Sequence, residues 1–292
     1  MRELDDGSPG ARAALRKLYA AAGCAHVVGI TGPPGCGKST LADALVASAR
    51  GQGLSVGVVA VDPTSHITGG ALLGDRIRMQ RHANDKKVFI RSLATRGSLG
   101  GLSRSVFDTV TVLDAMGKDI IFIETAGTGQ DGVKIAGASH TVLVVLAPGM
   151  GDEIQAIKAG VLEIGDIYVV NKCDRGGAKS LAQNLRLTLD PCRRADGWER
   201  PVVKTSAFTG KGIAELMDLI GRHRQVLATN RTWERRTGRM ARTAFLELME
   251  TGFREMLSKK LKHEKSLRKL WDDLACRRKD PYSAARQALR EL

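Results

Sequence analysis

At 292 residues and 31.4 kDa, the chain is long enough for one large α/β domain with a helical addition. A hydrophobic content of 43% with 33 glycines excludes a disordered or collagen-like polymer, and apolar stretches such as "TVLVVLAPGM" fall well short of the roughly 20 residues that cross a bilayer. The formal charge of +14 would suit nucleic acid, an acidic protein or phosphorylated small molecules, but aromatics at 4% and the lack of a recognisable nucleic-acid module argue against the first.

The opening "MRELDDGSPG" is acidic and polar, unlike a signal peptide, so a cytoplasmic protein without a membrane span is expected. Cys24, Cys36, Cys173, Cys192 and Cys276 are scattered and form no C-x-x-C pair. They read as buried small side chains rather than a disulfide framework or zinc site. Residues 1–24 hold one short helix, "ARAALRKLYAAAG", expected to pack on the domain that follows.

From 25 to 220, short β-branched runs alternate with helical periodicity. The expected strands are "AHVVGI", "LSVGVVAVD", "KVFIRSL", "DIIFIET", "TVLVVLA", "IYVVNK" and "PVVKTSA". Most are apolar almost throughout, the pattern of strands covered on both faces. Helices are expected at "KSTLADALVASARG", ending on Gly51, and "GLSRSVFDTVTVLDAMG", ending on Gly117. The sum is an α/β fold, a mostly parallel doubly wound sheet, with ligands beyond the C-terminal ends of its strands. From 221 to 292 the β-rich runs stop and a C-terminal helical extension follows, with Pro281 starting its last helix. Twelve Lys or Arg stand against five Asp or Glu from Arg254 to Arg290; a solvated helical surface and a dimerisation arm are compatible readings.

The segment "GPPGCGKST" satisfies G-x-x-x-x-G-K-[ST] directly after a strand and at the start of a helix, the context of a phosphate-binding loop in a P-loop NTPase. Gly32, Gly35 and Gly37 let backbone N–H groups curve around phosphates, and the helix that opens through Thr40 adds its positive end. Lys38 is expected on the β and γ phosphates and Ser39 on Mg²⁺. Farther on, "VVNKCD" matches N-K-x-D. Asp174 can accept both donors on the Watson–Crick edge of guanine, a pair that adenine lacks, so GTP is expected over ATP. Asn171 bonds the purine or braces the phosphate loop, the Lys172 stem covers the ring, and Ser206 and Ala207 of "TSA" bring backbone amides to the guanine oxygen.

Several carboxylates remain. Asp62 ends a strand beside the phosphate site, where it holds magnesium or its water, or else begins a Pro-led turn. Asp75 in "GDRIRM" reads as a metal-site residue or an ordinary helix cap. Glu124 ends "DIIFIET", and its charge fits only the rim of the sheet, facing Mg²⁺-bound or attacking water. Gly127 and Gly129 give the following segment the freedom of a switch loop, and Gln130 is a candidate for positioning water, weakened by its distance from the strand end.

In this order the motifs resemble the MeaB/ArgK family of GTPases, over nearly the whole chain and through blocks such as "DPTSHITGGALLGDRIRM", "RGSLGGLS", "PGMGDEIQAIKAGVLEIGD" and "DPYSAARQAL". The resemblance implies a Mg²⁺-dependent GTP/GDP cycle, a homodimer, and a chaperone role towards an adenosylcobalamin-dependent acyl-CoA mutase. It further implies that Asp62, Asp75 and Glu124 work around the metal and that Lys158 carries the nucleotide signal to the mutase. Where the family usually reads E-T-V-G-V-G-Q-S-E, this chain has Ala126, Thr128, Asp131 and Gly132. A nickel-insertion GTPase and a nucleotide-dependent nucleic-acid-binding protein are the competing readings, the former without clustered histidines to support it.

Overall fold

Strands that are apolar at successive positions require cover on both faces, and the computed structural model has that arrangement. It describes residues 2–5, 8–62, 79–94, 104–125, 134–150, 161–189, 197–263 and 265–290. Seven strands, β1 (His26–Thr31), β2 (Val56–Asp62), β3 (Val88–Ala94), β4 (Ile120–Glu124), β5 (Thr141–Leu146), β6 (Ile167–Val170) and β7 (Val202–Lys204), form one sheet in the order β3-β2-β4-β1-β5-β6-β7. Every pairing is parallel. All seven expected strands are present. "PVVKTSA" supplies only three strand residues before its chain turns at Thr205.

The helices are α1 (Arg2–Asp5), α2 (Pro9–Tyr19), α3 (Lys38–Gly51), α4 (Arg104–Ala115), α5 (Val161–Ile164), α6 (Ala178–Thr188), α7 (Ile213–Thr229), α8 (Thr232–His263), α9 (Lys265–Ala275) and α10 (Pro281–Arg290). The N-terminal segment therefore has two helices where one was expected, with Pro9 starting the second. Successive side chains along each strand serve opposite layers. Val28, Ile30, Phe122, Leu143 and Val145 pack with α3 and α7, whereas Val27, Ile121, Ile123, Val142 and Val144 pack with α4 and α6. Among the described residues no helix is long and apolar enough to cross a membrane.

The chain divides into compact units at Thr243/Ala244. Position 220, expected as the domain boundary, lies inside α7. Residues 221–243 stay with the first unit because polar side chains tie them to the N-terminal rim of the sheet. Arg236 of α8 grips Asp166, just before β6, and donates to the His140 carbonyl oxygen. His140 stacks on Trp233 with ring centroids 4.0 Å apart. Thr141, which opens β5, bonds both His26 and His223. In the second unit, Leu270 and Ala284 are buried between α9 and α10.

The cysteine expectation is corrected in part. Cys36 is buried, but Cys24 and Cys276 are exposed, since one lies in the loop before β1 and the other in the turn after α9. Cys192 lies outside the described residues.

Candidate functional site at the carboxyl rim of the sheet

Parallel strands deliver their C-terminal ends to one rim, and the central strand β1 delivers the phosphate-type loop there. Gly32 follows β1 with φ of +145°, and a Cβ at this position would stand 2.0 Å from the Val145 carbonyl oxygen of β5. Only glycine lets the loop pass so close to its neighbour. Gly37, also at positive φ, precedes α3, which opens with Lys38, Ser39 and Thr40. Lys38 is buried, and its ammonium donates to the carbonyl oxygens of Gly32 and Pro33 at 2.9 and 3.1 Å. Its charge is thus held inside the loop's own curve. Burial raises the thiol pKa of neighbouring Cys36, with the Lys38 charge opposing that shift; this thiol is a packing group.

Glu124 is set by register. It pairs with Ile30, at the end of β1, on one side and with Ala60 of β2 on the other. Its buried carboxylate accepts a hydrogen bond of 2.6 Å from the Ser39 hydroxyl. Two hard oxygen donors therefore meet at the start of α3, a set that fits magnesium. Asp62 lies two residues beyond Ala60 on β2, so its backbone reaches the same rim. The Asp62 side chain lies outside the described part of the structure, as do Asp75, Gly127, Gly129, Gln130 and Lys158, and the altered positions Ala126, Thr128, Asp131 and Gly132.

The N-K-x-D segment follows β6. Asn171 is buried and bonds on three sides: its amide donates to the Cys36 carbonyl oxygen at 2.9 Å, while its Oδ1 accepts from the Ala207 amide at 3.1 Å and the Thr205 hydroxyl at 3.2 Å. These contacts are those that the loop-bracing reading of Asn171 calls for. Lys172 adopts φ of +57° and donates to the Gly35 carbonyl oxygen at 2.5 Å, laying its stem across the loop. Asp174 is exposed, and the Ser206 hydroxyl holds its carboxyl below the usual carboxylate range. The structure thus gathers Gly32, Gly35, Gly37, Lys38, Ser39, Asn171, Lys172, Ser206 and Ala207 through direct contacts or chain continuity.

One local clamp was not legible beforehand. Asp43, on α3, accepts from Arg81 at 2.6 Å and meets His82 at 3.0 Å. These contacts pin residues 80–82 to the helix that carries Lys38. A polar residue on a helix facing a distant Arg-His pair leaves no periodic signal in sequence.

The family model described as methylmalonyl-CoA mutase-associated GTPase MeaB matches residues 3–265. A relative from Pyrococcus horikoshii, named as a GTPase, is 48% identical over 291 residues, covering 97% of this chain and 89% of the relative. The mitochondrial methylmalonic aciduria type A homolog of Mus musculus is 37% identical over 198 residues, covering 65% of this chain and 47% of that protein. Among solved structures, one titled LAO/AO transport system kinase superposes with a TM-score of 0.67 at 22% identity, covering 94% of this chain and 84% of that one. This last likeness speaks for the P-loop fold alone. With the phosphate-type loop in place and a family match reaching from residue 3 to residue 265, the chain belongs to the MeaB family and is a GTPase.

Proposed function

We propose that this GTPase spends its nucleotide cycle on a protein partner, an adenosylcobalamin-dependent acyl-CoA mutase, gating cofactor delivery and protecting or reactivating the enzyme. The observation that supports the coupling is the family match over residues 3–265, whose description names the mutase. The reading puts the activity in the cytoplasm and makes the C-terminal unit a dimerisation arm. Supporting that arm, Phe245, Met249, Phe253 and Met256 recur at helical spacing on α8 and are all 45% or more exposed.

Within the catalytic unit, Lys38 would donate to the β and γ phosphates from inside the loop, and the N–H groups of the Gly32–Thr40 segment would line them. Ser39, Asp62, Asp75 and Glu124 would hold Mg²⁺, which when bound offsets phosphate charge. Glu124, buried at the strand end, is also suited to accept a hydrogen bond from the attacking water. Asp174 would read the guanine edge, with Asn171 fixing the loop beneath it and Ala207 beside it. Gly127, Gly129 and Gln130 form the proposed switch, and Lys158 the proposed signal to the mutase.

The test is capture of a purified cobalamin-dependent mutase by the full chain in its GTP and GDP states. Nucleotide-dependent, salt-resistant capture supports the reading, whereas steeply salt-dependent RNA binding or stoichiometric nickel binding without mutase capture overturns it. Lys158→Ala should keep basal turnover and lose mutase stimulation. Equal stimulation in variant and parent removes the assigned role of Lys158.

A further inference from the structure

Helix α3 carries a polar stripe along an otherwise apolar, buried body. Ser39, Asp43 and Arg50 follow one another at spacings of one and two helical turns, which brings their directions within about 40° of one another around the axis. Each has a polar partner. The Ser39 hydroxyl donates to Glu124 at 2.6 Å. Asp43 takes the Arg81 guanidinium at two points, Nη2 to Oδ2 at 2.6 Å and Nε to Oδ1 at 2.9 Å. Arg81 Nη2 also donates to the Asp43 carbonyl oxygen at 2.9 Å, and His82 Nε2 lies 3.0 Å from Oδ1. At the far end of the helix, Arg50 donates Nε to Asp85 at 2.7 Å. Residues 79–85 therefore follow the stripe, with Met79 buried in the same core cluster as Leu41 and Leu45.

Apolar burial holds α3 against the sheet, but it is non-directional. The contact at Ser39 is more exacting. Hydroxyl-to-oxygen bonds span about 2.5 to 3.0 Å, so sliding the helix by one residue's rise, about 1.5 Å, breaks it. A two-point contact between carboxylate and guanidinium fixes position and orientation together. Asp43 places that contact one turn from Ser39, on the same face, and Arg81 grips its side chain and its carbonyl oxygen alike. The clamp thus sits where an error in height or rotation of the helix reaches the Ser39 hydroxyl most directly.

We infer that Asp43 is a positioning residue for the Ser39 hydroxyl: clamped by Arg81, it holds α3 at the height and rotation that set this hydroxyl against Glu124, and so tunes affinity for the divalent cation. The inference rests on the proposed place of Ser39 and Glu124 at magnesium. Asp43 acts through the helix, as outer partners that orient metal ligands do.

The experiment follows release of a fluorescent GDP analogue from the full chain, in EDTA and across free magnesium concentrations. It compares the parent with Asp43→Asn, Arg81→Gln, Ser39→Ala and the double variant Asp43→Asn/Ser39→Ala. Asp43→Asn should raise the magnesium concentration for half-maximal retention about 10-fold or more, with release in EDTA within about twofold of the parent. Arg81→Gln, which removes the clamp from its exposed side, should shift the profile in the same direction. In the Ser39→Ala background, Asp43→Asn should add less than about twofold, because its route runs through that hydroxyl. An equal factor in both backgrounds overturns the inference, since a merely structural clamp acts whether or not Ser39 is present. An Asp43→Asn magnesium profile that matches the parent overturns it too, as does release accelerated equally in EDTA and in magnesium, which reports a loosened domain. Failure of the metal reading appears separately, as Ser39→Ala with unaltered magnesium dependence, and removes the inference with it.

Discussion

Arg236 meets Asp166 through two parallel bonds, Nη1 to Oδ2 at 2.8 Å and Nη2 to Oδ1 at 3.0 Å, and the carboxylate is fully buried. The same Oδ2 accepts the Val142 amide at 2.8 Å, and the Asp166 carbonyl accepts the Trp198 indole at 2.9 Å. One carboxylate thus joins the start of β5, the lead into β6 and helix α8. Removing the guanidinium leaves a buried charge without its partner. Arg236→Ala should cost about 3 to 5 kcal/mol of stability, read from urea unfolding monitored by circular dichroism. Arg236→Lys should recover only part of it, because an ammonium cannot reproduce the planar fork. A loss under about 1 kcal/mol for the alanine variant would mean the anchor is not structural.

Acid should loosen the same rim. The Val27 amide donates to His140 Nδ1 at 3.1 Å, so the neutral ring carries its proton on Nε2, facing the Thr237 hydroxyl at 3.2 Å. Burial, helped by Arg236 and Arg224, lowers His140 to about 3, and burial with the neighbouring His140 lowers His26 well below its usual value. The unfolded histidines titrate near 6.5. Below that pH the unfolded chain takes up protons that the folded chain refuses, so stability is full above about pH 6.5 and falls as pH drops towards the folded values. His140 alone should remove roughly 1 to 2 kcal/mol between pH 6.5 and 5. Urea midpoints at the two pH values measure the loss, and His140→Gln should flatten it. A pH-independent midpoint in the parent would contradict the buried neutral ring.

Under the proposed roles, variants of the Ser39–Glu124 contact should separate binding from chemistry. Lys38→Ala should weaken nucleotide and abolish turnover together, since the proposed role gives both to one ammonium. Glu124→Gln keeps the size and much of the hydrogen bonding, so GDP affinity should stay within a few fold while single-turnover hydrolysis falls about 100-fold or more. Ser39→Ala should raise the magnesium concentration required for half-maximal rate. Normal hydrolysis by Glu124→Gln would remove this carboxylate from the reaction.

Asp174→Asn should trade the acceptor pair for an amide, weakening GTP and admitting xanthine nucleotide, as competition binding would reveal. The Ser206 hydroxyl keeps this carboxyl below the ordinary range, so base discrimination should persist into acid below the usual carboxylate titration. In Ser206→Ala it should fade at a higher pH than in the parent. Identical pH profiles would dissociate the hydroxyl from base reading.

Much of this architecture was legible because it is periodic or local. The apolar strands announced a sheet covered on both faces, and α3 runs from Lys38 to Gly51 as its glycine boundaries suggest. The loop glycines and N-K-x-D were recognisable as motifs because each lies within a few consecutive residues. What escaped was made by distant polar partners. Asp166 and Arg236 lie 70 positions apart, and nothing in either neighbourhood names the other. For the same reason the first compact unit extends to Thr243 rather than ending near 220. Asn171 was half legible: its motif was plain, but its bracing partners were not, because Cys36 and Ala207 approach it from separate strand ends.

The rim that anchors α8 also governs what the protein's intrinsic fluorescence can report. The chain has three tryptophans. Trp198 donates to Asp166 and Trp233 stacks on His140, while Trp271 lies in the C-terminal unit and is 57% exposed. The first two sit at the amino rim, on the opposite edge of the sheet from Lys38 and Glu124. Their emission is a natural gauge of whether α8 remains seated, and Trp271 responds to whatever covers its own helix. Nucleotide occupancy therefore calls for a separate optical label, which leaves the native signal available to follow assembly and unfolding.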